Sequence, residues 1–313
     1  MRRKRATARS KPSVVASNVD VTYGRGSGGQ PVLESVSLHA GEGTVTQVVG
    51  SPGTGKSTLL RVLAAVQKPT SGTVRISGVS TSRLRPRRLA KLARTQIAPL
   101  FDDTTLIPSL SVLENLALPG QLRRTPAVPR QIDQVVSALG LGPILERRPD
   151  QLSKSEGQLA RCGRLLLTPA PIVVADEPLR HLGSEQAVAV QEALRRASFE
   201  GGKLVIVSGQ EPWQLSTQTH VWTLSGGRLT EWVEQAEPTP GLPEPESVSL
   251  SPVSAVELDR TTLRGAPVAT PPSDPTRSPL SPEQREVVAR AQQILDSLPG
   301  QVAPTHEGHA DSV

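Results

Sequence analysis

Gly50-Ser51-Pro52-Gly53-Thr54-Gly55-Lys56-Ser57 fits G-x-x-x-x-G-K-[ST], the pattern of a phosphate-binding loop. Just before it, Val45-Thr46-Gln47-Val48-Val49 reads as a buried strand feeding the loop. Just after it, Thr58-Leu59-Leu60-Arg61-Val62-Leu63-Ala64-Ala65 reads as the helix leaving it. Strand, loop and helix come in the order that phosphate binding needs. The glycines let the backbone curl so that its N–H groups point at phosphate oxygens. The helix N-terminus adds partial positive charge at the same place. Lys56 reaches the β- and γ-phosphates, and the Ser57 hydroxyl suits Mg²⁺. Thr58 completes the candidate nucleotide-contacting set Gly50–Thr58. The flanking pattern outweighs the alternative, a chance Gly-rich turn ahead of an ordinary helix.

Composition narrows the rest. Aromatic residues are 2% of the 313, so the core must come from Val, Leu, Ile and Ala. The single cysteine, Cys162, excludes an internal disulfide framework. Of the net charge of +6, the first eleven residues carry six positive groups, so the surplus is expected in a solvated basic tail over 1–12. A weak electrostatic contact of that tail with anionic lipid or nucleic acid is the lesser alternative, and no specific nucleic-acid partner is expected. No apolar stretch follows it, as a secretory signal would require, and no segment approaches a membrane span.

Residues 13–235 alternate strand and helix signals and read as one globular unit. From Ala236 to Val313 the chain holds 13 of its 29 prolines and is rich in Ser, Glu and Thr, so a disordered tail is expected there. One island interrupts it. Ser281-Pro282-Glu283-Gln284 looks like a helix start, and Val287, Val288, Ala291, Ile294, Leu295 and Leu298 recur at helical spacing over 281–298.

A second chemical signature lies downstream. Ile172-Val173-Val174-Ala175-Asp176-Glu177-Pro178 is an apolar run ending in two carboxylates. Strands buried in parallel sheets read this way, and ligands bind at their C-terminal ends. Asp176 is the candidate Mg²⁺ ligand and Glu177 the candidate general base toward water. A pair of carboxylates there is also compatible with a plain helix cap, but the loop upstream favours a nucleotide.

The order of motifs resembles an ATP-binding cassette (ABC) ATPase over residues 13–235. Val21-Thr22-Tyr23-Gly24 is similar to the stretch whose aromatic residue stacks on adenine, which makes Tyr23 the candidate. Leu106–Pro119 resembles the helical subdomain of the lipoprotein-release and macrolide-export branch, and Leu152-Ser153-Lys154-Ser155-Glu156 stands at the family's LSGGQ or LSGGE signature. The resemblance implies an α/β fold: a P-loop sheet with helices on both faces, a small antiparallel β subdomain holding Tyr23 and the 72–78 strand, and a helical subdomain over about 101–167. It also implies ATP and Mg²⁺, a second cassette as homo- or heterodimer partner, transmembrane permease subunits, and a cytoplasmic place on the inner face of the membrane.

Departures from the family pattern carry equal information. Asp102 stands where the Q-loop glutamine belongs, and Gln96 lies six residues too early. Lys154 and Ser155 replace the signature glycines, Gly183 the D-loop aspartate, and Gly209 the switch histidine, with Gln210 after it. These changes predict ATP binding with weak or partner-dependent hydrolysis. Two rivals remain: a non-transport regulatory module that acts by dimerisation or through its tail, and a different P-loop enzyme such as a small-molecule kinase.

Overall fold

The computed structural model describes residues 11–24, 29–123, 129–213 and 219–232. The expected tails, with the 281–298 island, lie outside these residues apart from Lys11 and Pro12. Four strands form an antiparallel sheet in the order β2-β1-β4-β5: β1 (Ser13–Tyr23), β2 (Gln30–Gly41), β4 (Ser71–Ile76) and β5 (Val79–Ser80). This sheet carries Tyr23 at the end of β1 and most of the 72–78 segment in β4.

The larger sheet runs β10-β9-β3-β8-β7-β6. Its members are β3 (Val45–Val49), β6 (Ile97–Leu100), β7 (Ile172–Ala175), β8 (Leu204–Gly209), β9 (Thr219–Ser225) and β10 (Arg228–Glu231). All neighbouring pairs are parallel except β9 and β10. The continuous apolar runs of β7 and β8 follow from burial on both faces. Ile172, Val174, Leu204 and Ile206 face a core shared with the antiparallel sheet and α1 (Lys56–Leu63). Val173, Ala175, Val205 and Val207 face the opposite core, built with α3 (Val112–Leu122), α4 (Pro129–Ala138), α5 (Lys154–Leu167) and α6 (Ser184–Phe199). The alternation is the strand period of two expressed between two apolar layers.

Two sequence boundaries shift. The helix after the loop begins at Lys56 rather than Thr58, because Gly55 at φ 100° already opens its first turn. The apolar run Val221-Trp222-Thr223-Leu224, which reads as the last strand of the globular unit, lies within β9 and is followed by one more strand. Gly226 and Gly227, both at positive φ, form a tight turn that returns the chain as β10 with Arg228 opposite Ser225.

In the Leu106–Pro119 stretch, Asn115 is fully buried. Its amide accepts from Ile107 N–H (2.7 Å) and donates to the carbonyls of Ile107, Leu110 and Ser111. One side chain therefore pins the entry to α3, whose N-cap is a Ser111–Glu114 capping box.

Candidate nucleotide site

Strand order assembles the site. The loop leaves β3 at Gly50, Asp176 follows the last residue of β7, and β8 lies between them with Gly209 level with Val49. Gly50 is required by space: at φ 156°, a Cβ there would stand 2.4 Å from the Leu224 carbonyl oxygen. Lys56 is buried, and its ammonium donates to the carbonyls of Gly50 (2.6 Å) and Ser51 (2.9 Å). It thus spans the base of the loop. Thr54 Oγ1 donates to Ser51 O and braces the turn. α1 has no side-chain N-cap and no acidic residue in its first turn. Its leading N–H groups and positive dipole end are offered to an anion, as a bound triphosphate requires. Ser51, Pro52, Gly53 and Ser57 are exposed on the loop and its helix.

Tyr23 is drawn to the same helix. Its hydroxyl donates to Gln67 Oε1 (3.0 Å) and shares a 3.2 Å hydrogen bond with Thr58 Oγ1. Tyr23 as a whole stays 47% exposed. The Tyr23–Thr58 bond joins residues 35 positions apart and has no signal in either segment.

The carboxylate pair is organised by a residue the sequence did not single out. Ser208, buried in β8, donates from Oγ to Asp176 Oδ1 at 2.6 Å and accepts from Glu177 N–H at 2.9 Å. Asp176 N–H is tied to Leu100 O. Glu177 has φ 44°, the left-handed region that ordinary residues avoid. The Ser208 bond holds the backbone there.

Residues 33–180 match the family model described as ABC transporter. An uncharacterized ABC transporter ATP-binding protein of Mycobacterium tuberculosis is 31% identical over 249 residues, 78% of this chain and 98% of that protein. The lipoprotein-releasing system ATP-binding protein LolD of Bordetella pertussis is 31% identical over 70% of this chain and 95% of its own length. The chain belongs to the ABC transporter ATP-binding proteins. A solved cassette of this family, a dimer in a post-hydrolysis state bound to ADP and Pi, superposes with a TM-score of 0.62 at 29% identity, covering 70% of this chain and 97% of that one. The cassette is thus an ATP-binding subunit of the ABC transporter class, a family that hydrolyses ATP.

The departures can now be placed. Asp102, just past β6, is ion-paired with Arg180 at 3.2 Å, both side chains at least half exposed. Gln96, at the end of α2 (Pro86–Gln96), accepts from Ser77 Oγ. Lys154 and Ser155 are the first two residues of α5, capped by Ser153 and Glu156, whose reciprocal bonds form a capping box. Ser153 N–H and then its hydroxyl hold the Glu156 carboxyl below the usual carboxylate range. Gly183 precedes α6 and donates its N–H to Gln186.

Gly209 ends β8 under a second unforeseen residue, Gln47. Fully buried in β3, Gln47 donates to Glu211 O (2.8 Å) and accepts from Trp213 N–H (2.9 Å). It fastens the segment after β8 to the strand that feeds the phosphate loop. A Cβ at 209 would lie 3.2 Å from Gln47 Nε2 and 3.3 Å from Glu211 O. The absence of a side chain at 209 thus fits the room that the Gln47 amide leaves.

Proposed function

We propose that this subunit binds Mg²⁺–ATP and couples it to separate transmembrane permease subunits from the inner face of the membrane, hydrolysing slowly or only with a partner. The observation that carries this is a complete phosphate loop and carboxylate pair set among altered sensing positions. Bound Mg²⁺ would supply charge neutralisation for the phosphates, with Ser57 and Asp176 as its protein ligands. Lys56 would exchange the loop carbonyls for phosphate oxygens. Glu177, fixed by Ser208, would take the proton of an attacking water. Gly209 offers no side chain to the γ-phosphate. Lys154 and Ser155 put side chains where a second cassette's nucleotide needs close backbone approach. Losing one positioned donor lowers rates by roughly 10²–10³, and losses among residues acting as a unit do not simply multiply.

Pairing with a more complete cassette would put the Gly209 defect in one composite site and the Lys154–Ser155 defect in the other. In a homodimer both sites would carry both. Among the described residues no helix is long and apolar enough to cross a membrane, so transport would depend on the permease subunits. The test is a titration with labelled ATP and Mg²⁺, followed by turnover assays. Binding that is largely lost in Lys56→Ala, with wild-type turnover well below about 1 per second, supports the reading. Equal affinity of the two proteins would refute the site. Partner-free turnover of roughly 1–10 per second would refute the impaired hydrolysis.

A further inference from the structure

From Gly43 to Phe101 the chain has no Asp or Glu and ten Lys or Arg. Six of the ten fall between Arg83 and Arg94: Arg83, Arg85, Arg87, Arg88, Lys91 and Arg94. All six are exposed. The ion pairs among the described residues all use other cations. The nucleotide site uses none of the six.

Helix α2 arranges four of them. Leu89, Leu92 and Ala93 pack against the core between the sheets. Arg87, Lys91 and Arg94, spaced by four and three residues, share the opposite stripe, with Arg88 on its flank. The stripe runs about 10 Å along the helix. Arg94 also crowds Arg123, whose guanidinium is held below its ordinary pKa first by burial and then by Arg94.

We propose that the outward stripe of α2 rests on the anionic headgroups of a lipid bilayer. The proposal rests on the reading of the chain as a membrane-peripheral subunit but does not depend on ATP. Clusters of four to eight cations on an amphipathic helix suit anionic lipid. The apolar stripe is already used by the protein core, so contact is electrostatic and the helix does not insert. A protein partner is less well matched, since the stripe offers no aromatic or aliphatic anchor and interface cores are built on such residues. A single-stranded nucleic acid is less well matched too. Phe101 is the only aromatic residue between Gly43 and Phe101, and stacking platforms need several.

The test is co-sedimentation of the full-length protein with phosphatidylcholine vesicles and with vesicles containing phosphatidylglycerol, at low and at physiological salt. Both proteins compared carry glutamine for Arg2, Arg3, Lys4, Arg5, Arg9 and Lys11, so that the N-terminal cations do not mask the helix. The second also carries Arg87→Gln, Arg88→Gln, Lys91→Gln and Arg94→Gln. Each cation near an anionic surface is worth roughly fivefold in binding. Binding only to the anionic vesicles, weakened by salt and at least tenfold lower in the second protein, is the expected result. Unchanged ATP affinity in that protein shows that the fold is intact. Equal binding by the two proteins, no preference for anionic vesicles, or tighter binding to duplex DNA at matched salt would overturn the proposal. None of these would touch the ATP-binding assignment.

Discussion

Replacing Ser208 with alanine removes one hydroxyl and leaves two groups without their partner. Asp176 Oδ1 loses a 2.6 Å donor, and a hydrogen bond to a charged group contributes about 1.5–3 kcal/mol. Glu177 N–H, at a half-buried residue, loses its acceptor, which costs toward the lower end of the about 1–3 kcal/mol of an unpaired donor. Glu177 is then free to leave its left-handed backbone, which recovers part of that cost. A net loss of roughly 3 kcal/mol is expected. At about 2–4 °C per kcal/mol for a domain of this size, Tm falls by roughly 6–12 °C. Thermal unfolding with and without Mg²⁺–ATP reads both stability and ligand coupling. The stabilisation given by Mg²⁺–ATP should shrink in Ser208→Ala, because the metal carboxylate is no longer held. Ser208→Thr keeps the hydroxyl and should recover much of both. A Ser208→Ala protein within about 1 °C of wild type, with the Mg²⁺ effect intact, would refute the reasoning.

Gly209→His alone should lower Tm and fail to raise turnover, because its Cβ meets Gln47 Nε2 at 3.2 Å and the Glu211 carbonyl oxygen at 3.3 Å, an overpacking worth about 1–3 kcal/mol; differential scanning and ATPase assays check both, and an unchanged Tm would contradict it. Cys162 is 1% exposed and burial pushes its thiol up to about 12, so a disulfide reagent at pH 8 should label it only on unfolding; rapid native labelling would contradict this. Lys203 donates to the carbonyls of Leu166 and Thr168, yet burial, and then Arg123, lowers it from 10.5 to about 8. Its folded pKa lies below the unfolded value, so the unfolded chain binds more protons between about pH 8 and 10.5, and stability rises across that window. The wild type should therefore gain on Lys203→Met by up to roughly 3 kcal/mol in urea unfolding as pH is raised, and a difference independent of pH would count against it.

The parts of the site that were legible in the sequence are those whose chemistry is local. Gly50 to Ser57 are contiguous, so spacing alone exposes the loop, and Asp176-Glu177 end an apolar run that reads as a buried strand. Ser208 and Gln47 were illegible for the opposite reason. Each acts on residues more than thirty positions away, through the placement of β8 between β3 and β7, and strand order cannot be read from any one segment. A serine at a strand end and a glutamine inside an apolar run look ordinary until their neighbours are known. The strand β10 has a local signal, Gly226-Gly227 between two strand-like runs, but a glycine pair marks a turn without saying whether the chain returns as a paired strand.

The capping of α5 has a consequence for how such a chain drifts over generations. Ser153 and Glu156 satisfy the helix start by themselves, and neither Lys154 nor Ser155 has a positive φ. Within this chain, then, the fold makes no demand for glycine there. If this chain pairs with a second cassette as proposed, any selection for glycine at these two places would act across that interface rather than through this chain's own fold. Screens for folding or expression would pass almost any residue at 154 and 155, and only a measurement on the assembled pair would register the difference.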